Sequence, residues 1–473
     1  MRVVLINAPY LDIYGSINVG RNHGFSLGLG YIASVLRDAG NEVYLLDPEP
    51  LHMDHEDIKK YLMEKDPQLV GISCATPNFK GACQIAQLIK REIGIAVVLG
   101  GVHASGVPIE IMENYPEFDI VVVGEGERTM VELCQELDVP NPNLERILGI
   151  VYRDNETVKK TLPRPLIEDV DSIPFPARDL VDLSKYRSQV HLDRGKRFAT
   201  MLTSRGCPAR CTYCATKLTM GRGFRAHSPE YVISEIEHLI TAYGIEHFVF
   251  VDDTFTINKK RVEKICRTII ERNYNIIWYC FARVNTVSRD LLLLMKKAGC
   301  FSLLYGVESA NDTILRNIKK GANADQARKA LKISNELGFK TLAAFLIGSP
   351  GDTKETVEEN IRFAIELNPV IASFNRITPF PGTELYETHY KPRYGNVTVW
   401  DDFFPKGINP ILVSENLTKS DLQRLTVKAY LRFYLRPKQI IRILFNLGSF
   451  SEFMAYVRGA FGLFRRILEW KRA

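Results

Sequence analysis

Hydrophobic positions fall into two successive series along the chain, each alternating short apolar runs with longer amphipathic stretches. In the first series the runs Val3 to Asn7, Glu42 to Leu46, Leu69 to Ser73, Ala96 to Leu99 and Ile120 to Val123 predict strands. They lack polar alternation, so each strand must bury both faces, and a spacing of roughly 25 residues leaves room for crossover helices. Residues 1–140 are therefore expected to form a doubly wound α/β unit with a parallel sheet. Periodicity then fades. Pro163-Arg164-Pro165 and Ile173-Pro174-Phe175-Pro176 forbid a long helix, and 141–195 reads as an extended linker. The second series occupies 196–385, with strands expected at Phe198 to Thr203, His247 to Val251, Ile276 to Cys280, Ser302 to Tyr305, Thr341 to Leu346 and Ala372 to Asn375. Its best-marked helix has Ser228 as cap, Pro229 at the first helical position and Glu230 at the positive end. Six βα units predict a partial (β/α)6 barrel with its chemistry at the carboxyl rim. A helical region, 386–473, follows.

Composition narrows the class. The 473 residues are 46% apolar and 25% charged, which excludes disorder and collagen-like folds. No charge-free apolar run approaches the roughly 18 residues of a spanning helix. The apolar stretch after Met1 and Arg2 is too short for a signal-peptide core. Nine cysteines, an odd number without an export signal, argue against a disulfide framework and for a reducing compartment, so a cytoplasmic location is expected. The net charge of +6 is uneven. From Lys428 to Ala473 ten Lys and Arg face two Glu, a local +8, which leaves −2 on the other 427 residues.

The strand ends of the first series carry small residues. Asn7-Ala8-Pro9, Ser73-Cys74-Ala75-Thr76-Pro77, Gly100-Gly101-Val102-His103-Ala104-Ser105 and Gly124-Glu125-Gly126-Glu127 would share the carboxyl edge, where open sheets bind ligands. Any one Gly-Gly could be a plain tight turn. The G-x-G-x-x-G fingerprint of nicotinamide enzymes is missing after the first strand.

The sharpest motif is Ser204-Arg205-Gly206-Cys207-Pro208-Ala209-Arg210-Cys211-Thr212-Tyr213-Cys214, directly after a predicted strand. Three thiolates within eight residues can wrap a cubane iron–sulfur cluster and leave its fourth iron open. A zinc site would want a fourth Cys or His at regular spacing, and none follows soon after Cys214. Buried free thiols are the remaining alternative.

This loop resembles the signature of the radical S-adenosylmethionine (SAM) superfamily, with Tyr213 at the family's aromatic position. The resemblance implies a 4Fe–4S cluster on Cys207, Cys211 and Cys214, with SAM on the open iron, cleaved by one electron to methionine and a 5′-deoxyadenosyl radical. It extends to further rim positions: Asp252-Asp253, Arg283 for the SAM carboxylate, Gly306-Val307-Glu308-Ser309 for its amino group with Glu308 as acceptor, and Gly348-Ser349-Pro350-Gly351-Asp352 near the adenine. Singly, Asp252 and Asp253 could cap a helix and Arg283 could be a surface ion pair.

Over residues 1 to 390 the chain resembles cobalamin-dependent radical SAM enzymes, a subgroup with class B methylases, hopanoid methylases and the anaerobic tetrapyrrole cyclase. This implies a cobalamin site at Ser73, Ala75, Thr76, Gly100, Gly101, His103, Gly124, Glu125 and Gly126. The Asp-x-His-x-x-Gly motif of many cobalamin proteins is absent, so cobalt is expected without a histidine from it. His103 is left as a ligand or as a loop hydrogen-bonding residue near the corrin edge.

The resemblance implies methylation of an unactivated carbon on a hydrophobic small molecule, a lipid, isoprenoid or tetrapyrrole. One SAM would methylate the cobalamin and a second would generate the radical. An oxidative cyclisation or rearrangement without methyl transfer, or a non-catalytic cobalamin carrier, are the alternatives. An electron donor such as flavodoxin or ferredoxin is expected, and no nucleic acid. A methylthiotransferase would want three more cluster cysteines, whereas Cys74, Cys83 and Cys134 read as core thiols. The tail mixes arginines with Tyr430, Phe433, Ile440, Ile441, Leu444, Phe445, Phe461, Phe464 and Trp470. Two readings stand: docking on an anionic membrane surface, or a helical cap with a solvated basic face.

Overall fold

The computed structural model describes residues 1–10, 24–155, 157–186, 188, 192–395, 400, 402–403, 410–448, 450, 452–454 and 456–457. The first sheet contains β1 (Arg2–Asn7), β2 (Glu42–Leu46), β3 (Leu69–Ser73), β4 (Ala96–Gly100), β5 (Ile120–Val122), β6 (Ile150–Asp154) and β7 (Thr157–Lys160). Their spatial order is β2-β1-β3-β4-β5-β6-β7. The first five are parallel, in the 2-1-3-4-5 order of flavodoxin-like sheets. Both faces are buried, as the unbroken apolar runs require. Val3 and Leu5 enter one hydrophobic cluster while Val4 and Ile6 enter the opposite one.

Part of the expected linker is sheet. Residues 150–160 form a hairpin, β6 antiparallel to β5 and β7 antiparallel to β6. The prolines that exclude a helix lie beyond it, and Ile150 and Val151 are as buried as core strand residues.

The second sheet contains β8 (Phe198–Met201), β11 (His247–Phe250), β12 (Ile277–Ala282), β13 (Cys300–Glu308), β14 (Lys340–Ile347) and β15 (Ile371–Arg376), in the order β15-β14-β13-β12-β11-β8 and parallel throughout. Between β8 and β11 lie the two-residue strands β9 (Ser204–Arg205) and β10 (Arg225–Ala226). The helix Pro229–Tyr243 starts as its sequence predicts, with Ser228 Oγ accepting from Tyr231 N–H, and ends on Gly244 at φ 63°.

Six strands do not close a barrel, and the first unit fills the gap. Phe25, Leu29 and Tyr31 share one buried cluster with Phe198, Leu202, Val249, Tyr279 and Leu304 of the second sheet. Tyr31 donates to Leu202 O at 3.3 Å. The free edge of β15 is covered by the helix Lys419–Tyr434. Phe374 N–H donates to Tyr430 Oη, and Tyr434 Oη both accepts from Ala372 N–H and donates to Ala372 O, so hydroxyls satisfy an edge that could otherwise pair with another chain. No helix among the described residues is long and apolar enough to cross a membrane. Of the tail residues singled out in the sequence, Phe461, Phe464 and Trp470 lie outside the described residues.

Candidate functional site

The cysteine loop is pinched at its base. β9 and β10 pair antiparallel, Arg205 opposite Arg225. Gly206, at φ 80°, lies so close to Gly223 O that a Cβ would collide with it, so only glycine serves there. Cys207, Cys211 and Cys214 are half-buried, whereas the other six cysteines are buried. They line a cavity of about 200 Å³ shared with Tyr213, Asp253, Arg283, Gly306, Glu308 and Lys320.

The donor set suits a cluster. Among the described residues, no three His, Cys, Asp or Glu side chains converge closely enough for a single metal ion. Thiols spread around one cavity suit a polynuclear group in which each sulfur binds its own iron. Arg283 Nη1 stands 3.9 Å from Cys211 Sγ, a positive charge beside a prospective thiolate, while Nη2 donates to Lys320 O. Burial pushes the Cys214 thiol up, opposed by hydrogen bonds from Thr216.

β13 delivers the opposite wall. Its register slips between Gly306 and Glu308, and Glu308 sits at φ 69°, a region that non-glycine residues seldom occupy. The turn sends its carboxylate into the cavity, where Oε1 accepts from Lys320 Nζ at 2.7 Å; both side chains are buried. Lys320 Nζ also lies 3.5 Å from Tyr213 Oη. Burial foremost, then the Glu308 charge, raises the Tyr213 phenol well above its usual range and keeps it protonated. Strained backbone at the head of a charged cavity is where function is expected.

Several other sequence candidates point elsewhere. Asp252 is fully buried and accepts from Thr203 N–H (3.3 Å), Thr203 Oγ1 (2.8 Å) and Ser204 Oγ, so it braces the strand before the loop. Its neighbour Asp253 is the one in the cavity, accepting from Thr216 Oγ1 at 2.8 Å. Ser309 is buried, donating to Asn360 Oδ1 at 3.1 Å. Gly348 lies against Leu422 and closes a turn in which Asp352 Oδ2 accepts from the Gly348 and Ser349 amides. Lys320 carried no sequence signal beyond its place shortly after a rim strand.

On the first sheet, Ser73, Ala75, Gly100, Gly101 and Gly124 do stand at adjacent carboxyl ends. A Cβ added at Gly100 or Gly124 would meet nothing within 4 Å, so two neighbouring strand ends present side-chain-free backbone to open space, a cradle for a flat, bulky group. Gly101 is at φ 99°, and a Cβ there would stand 2.9 Å from Cys74 N. Thr76 and His103 are turned inward. His103 is fully buried, its Nδ1 3.1 Å from Thr76 Oγ1 and its ring 4.2 Å from Phe79 and 4.8 Å from Trp400; burial lowers it to about 3, and it stays neutral. Gly126 packs on Ile32, 3.0 Å from where its Cβ would be. Glu125 is held by Arg205 and Arg225.

The two rims meet. The short helix Val102–Gly106 lies beside Pro381-Gly382, where a Cβ on Gly106 would stand 2.6 Å from Pro381 O, and a Cβ on Gly382 would stand 3.0 Å from Leu218 on the cysteine loop's own helix, Thr216–Thr219.

Comparison with known proteins agrees with this geometry. The Radical SAM superfamily matches residues 201–364, and the B12 binding domain matches residues 17–134. An uncharacterized methyltransferase of Pyrococcus horikoshii is 37% identical over 451 residues, covering 95% of this chain and 96% of its own. The chain belongs to the cobalamin-dependent radical SAM family. The anaerobic magnesium-protoporphyrin IX monomethyl ester cyclase of Cereibacter sphaeroides is 29% identical over 416 residues, 86% of this chain and 66% of its own. Among solved structures, the cobalamin-dependent SAM radical enzyme OxsB with aqua-cobalamin and SAM bound superposes with a TM-score of 0.73 at 19% identity, over 96% of this chain and 72% of that one, and supports the fold. The chain is thus a radical SAM enzyme whose cofactors are a 4Fe–4S cluster, SAM and cobalamin.

Proposed function

We propose that this enzyme methylates an unactivated carbon of a hydrophobic small molecule held between the two carboxyl rims. The observation that carries this reading is the juxtaposition of the half-buried cysteine cavity with the glycine edge of the first sheet, joined through Gly106 and Gly382. When bound, the cluster with SAM supplies hydrogen abstraction and cobalamin supplies the methyl carrier. Cys207, Cys211 and Cys214 would hold the cluster. Glu308, once released from Lys320, offers an acceptor for an ammonium, while Arg283 and Lys320 offer donors for a carboxylate, the two ends of an amino-acid moiety. Gly306 keeps the space between them open. Gly100 and Gly124 would let the corrin lie against bare backbone, with Gly101 setting the turn behind them. Phe281 and Leu304, beside the same cavity, supply an apolar wall.

The methyltransferase likeness favours methylation, and the cyclase likeness favours a tetrapyrrole-like substrate or, as a second reading, ring closure without methyl transfer. Arg210 and Arg222 stand exposed on the cysteine loop and offer positive charge to an acidic electron donor of flavodoxin or ferredoxin type. The exposed apolar side chains of the helix Pro437–Phe445, beside Lys438, support contact with an anionic membrane surface.

The test is anaerobic turnover of reconstituted protein with methyl-labelled SAM and dithionite in the presence of tetrapyrrole and lipid extracts. The protein should hold about four irons, cleave SAM, and yield a labelled product heavier than its precursor by one methylene. A product lighter by hydrogens and free of label would establish ring closure; no SAM cleavage by iron-replete protein would end both readings.

A further inference from the structure

Four charged side chains are buried where the cysteine loop meets the first sheet. Arg205 Nη1 lies 2.9 Å from Glu125 Oε1 and its Nη2 lies 2.7 Å from Glu127 Oε1. Arg225 Nη1 lies 3.0 Å from Glu125 Oε2. None of the four side chains is more than 8% exposed. Further bonds close the set: Arg225 Nη1 donates to Ile167 O at 2.6 Å and Nη2 to Met220 O at 2.8 Å, while Ile167 N–H donates to Glu125 Oε2 at 2.8 Å. The Arg205 guanidinium stacks 5.1 Å from the Tyr31 ring centre.

The placement is informative. Arg205 is two residues before Cys207, and Arg225 with Met220 is the loop's returning arm, so both arms are tied to one segment, Gly124–Glu127. That segment follows β5 and runs into the next helix, and its Gly124 belongs to the proposed cobalamin cradle. Burying two guanidiniums and two carboxylates adds little net stability over an apolar contact, because desolvation offsets attraction. What the arrangement adds is direction. A planar guanidinium bridging two carboxylates fixes distance and angle together, which shape-tolerant apolar packing does not.

We propose that Arg205, Glu125, Glu127 and Arg225 are positioning residues that set the separation between the cluster-bearing loop and the cobalamin-bearing edge. The proposal rests on the cofactor placement above. It assigns the segment Gly124–Glu127 a role in registering the two rims rather than in holding a ligand through Glu125.

Two conservative variants test it, since loss of the whole network could unfold the chain. Arg205→Lys can reach one carboxylate but not both, and Glu127→Gln keeps the shape while removing one charge. In apo protein, amide exchange across residues 204–226 should quicken about tenfold while the strand cores stay protected, because only the local opening is made easier. In loaded protein, the spin coupling between the reduced cluster and Co(II) cobalamin should change from one separation to a broad range. Cobalamin affinity and dithionite-driven SAM cleavage should stay within about threefold of wild type, since neither needs the second rim in register. Methylated product per SAM cleaved should fall by about a hundredfold, the scale of a 1 Å misplacement. Unchanged exchange and spin coupling in both variants, with only a lowered melting temperature, would reduce the network to a structural contact. Wild-type protein showing no cluster–cobalt coupling would instead overturn the cofactor placement, and apo exchange would still report on the tie.

Discussion

Gly306 has to be small. A Cβ on it would fall within 2.7 Å of Lys320 Nζ and closer still to Glu308 Oε1. Its backbone is not left-handed, and both obstructing atoms are ends of flexible side chains, so Gly306→Ala should fold normally and act only by displacing the pair. SAM affinity, read by titration calorimetry on cluster-loaded protein, is expected to weaken about tenfold, the loss of one charge-assisted hydrogen bond. Unaltered affinity would show that SAM does not use the Glu308–Lys320 position. Other residues show where sequence reading stops. The spacing of Cys207, Cys211 and Cys214 marked the loop, the family resemblance pointed to Arg283 and Glu308, and all five line one cavity. Asp252 and Asp253 were not separable, because which of two adjacent residues enters a cavity depends on the side of the chain that neighbouring elements cover. Lys320 was invisible because its partner Glu308 lies on a different element.

Among the elements, β13 and the helix Pro437–Phe445 behave oppositely. β13 stores backbone strain at Glu308 and is held on both sides by strands, so the strain persists. The helix is anchored on one face only. Gln439 Nε2 donates to Val370 O at 2.7 Å and Arg442 Nη2 to Asn335 Oδ1 at 3.1 Å, while Phe445 is 87% exposed and Ile441 and Leu444 are each 54% exposed. Ile441, Leu444 and Phe445 share one helix face next to Lys438, and Phe450, 77% exposed, follows ahead of a basic stretch. The full chain should cosediment with vesicles of phosphatidylcholine containing a third phosphatidylglycerol, less with phosphatidylcholine alone, and less in high salt. Leu444→Ser with Phe445→Ser should weaken that binding about tenfold or more, because each large apolar side chain contributes roughly 1.5–3 kcal/mol when buried. Concentration-dependent dimerisation abolished by the same pair, without vesicle binding, would assign the face to a second copy. The helix Lys419–Tyr434 is a cap on the barrel edge, and the following helix keeps an open apolar face whose occupant the vesicle test decides.

For the molecule as a whole, buried titratable groups set how stability answers to pH. Burial lowers His103 and His247 to about 3 and, against the pull of Asp171, His227 to about 4. Burial also raises Asp47 and Asp352 to about 6. The unfolded chain binds protons on its histidines below their usual 6.5 while the folded chain does not, so the histidine contribution is fully present above that pH and lost as pH falls. The two aspartates act in the opposite sense, their contribution present at low pH and lost as pH rises through about 6. Burial likewise raises Asp252, Asp253 and Glu235, so these carboxyls oppose the histidines, and the loss on acidification below pH 6.5 is best read at a single histidine. Among the described residues His247 has no hydrogen-bond partner on either ring nitrogen and packs against Phe198, Tyr279 and Phe301. His247→Leu should reduce the loss between pH 7 and 5 by about 2 kcal/mol in urea titrations. An unchanged pH slope would mean that His247 titrates normally in the folded state.

The strand runs, the cap at Ser228 and the cysteine spacing needed no tertiary information, because backbone periodicity and ligand spacing are local properties read over a few residues. From them alone came two α/β units, a cluster loop and a carboxyl rim. The hairpin β6–β7, the choice of Asp253 over Asp252, the Glu308–Lys320 pair and the ties from Arg205 to Glu125 and Glu127 were decided only when the chain closed on itself. The ties from Arg205 and the pairing of β6 with β5 join segments that lie far apart in sequence, and the others depend on which side of the chain is packed over. A charge's partner is fixed by which surfaces exclude water together, and that is a property of the assembled fold.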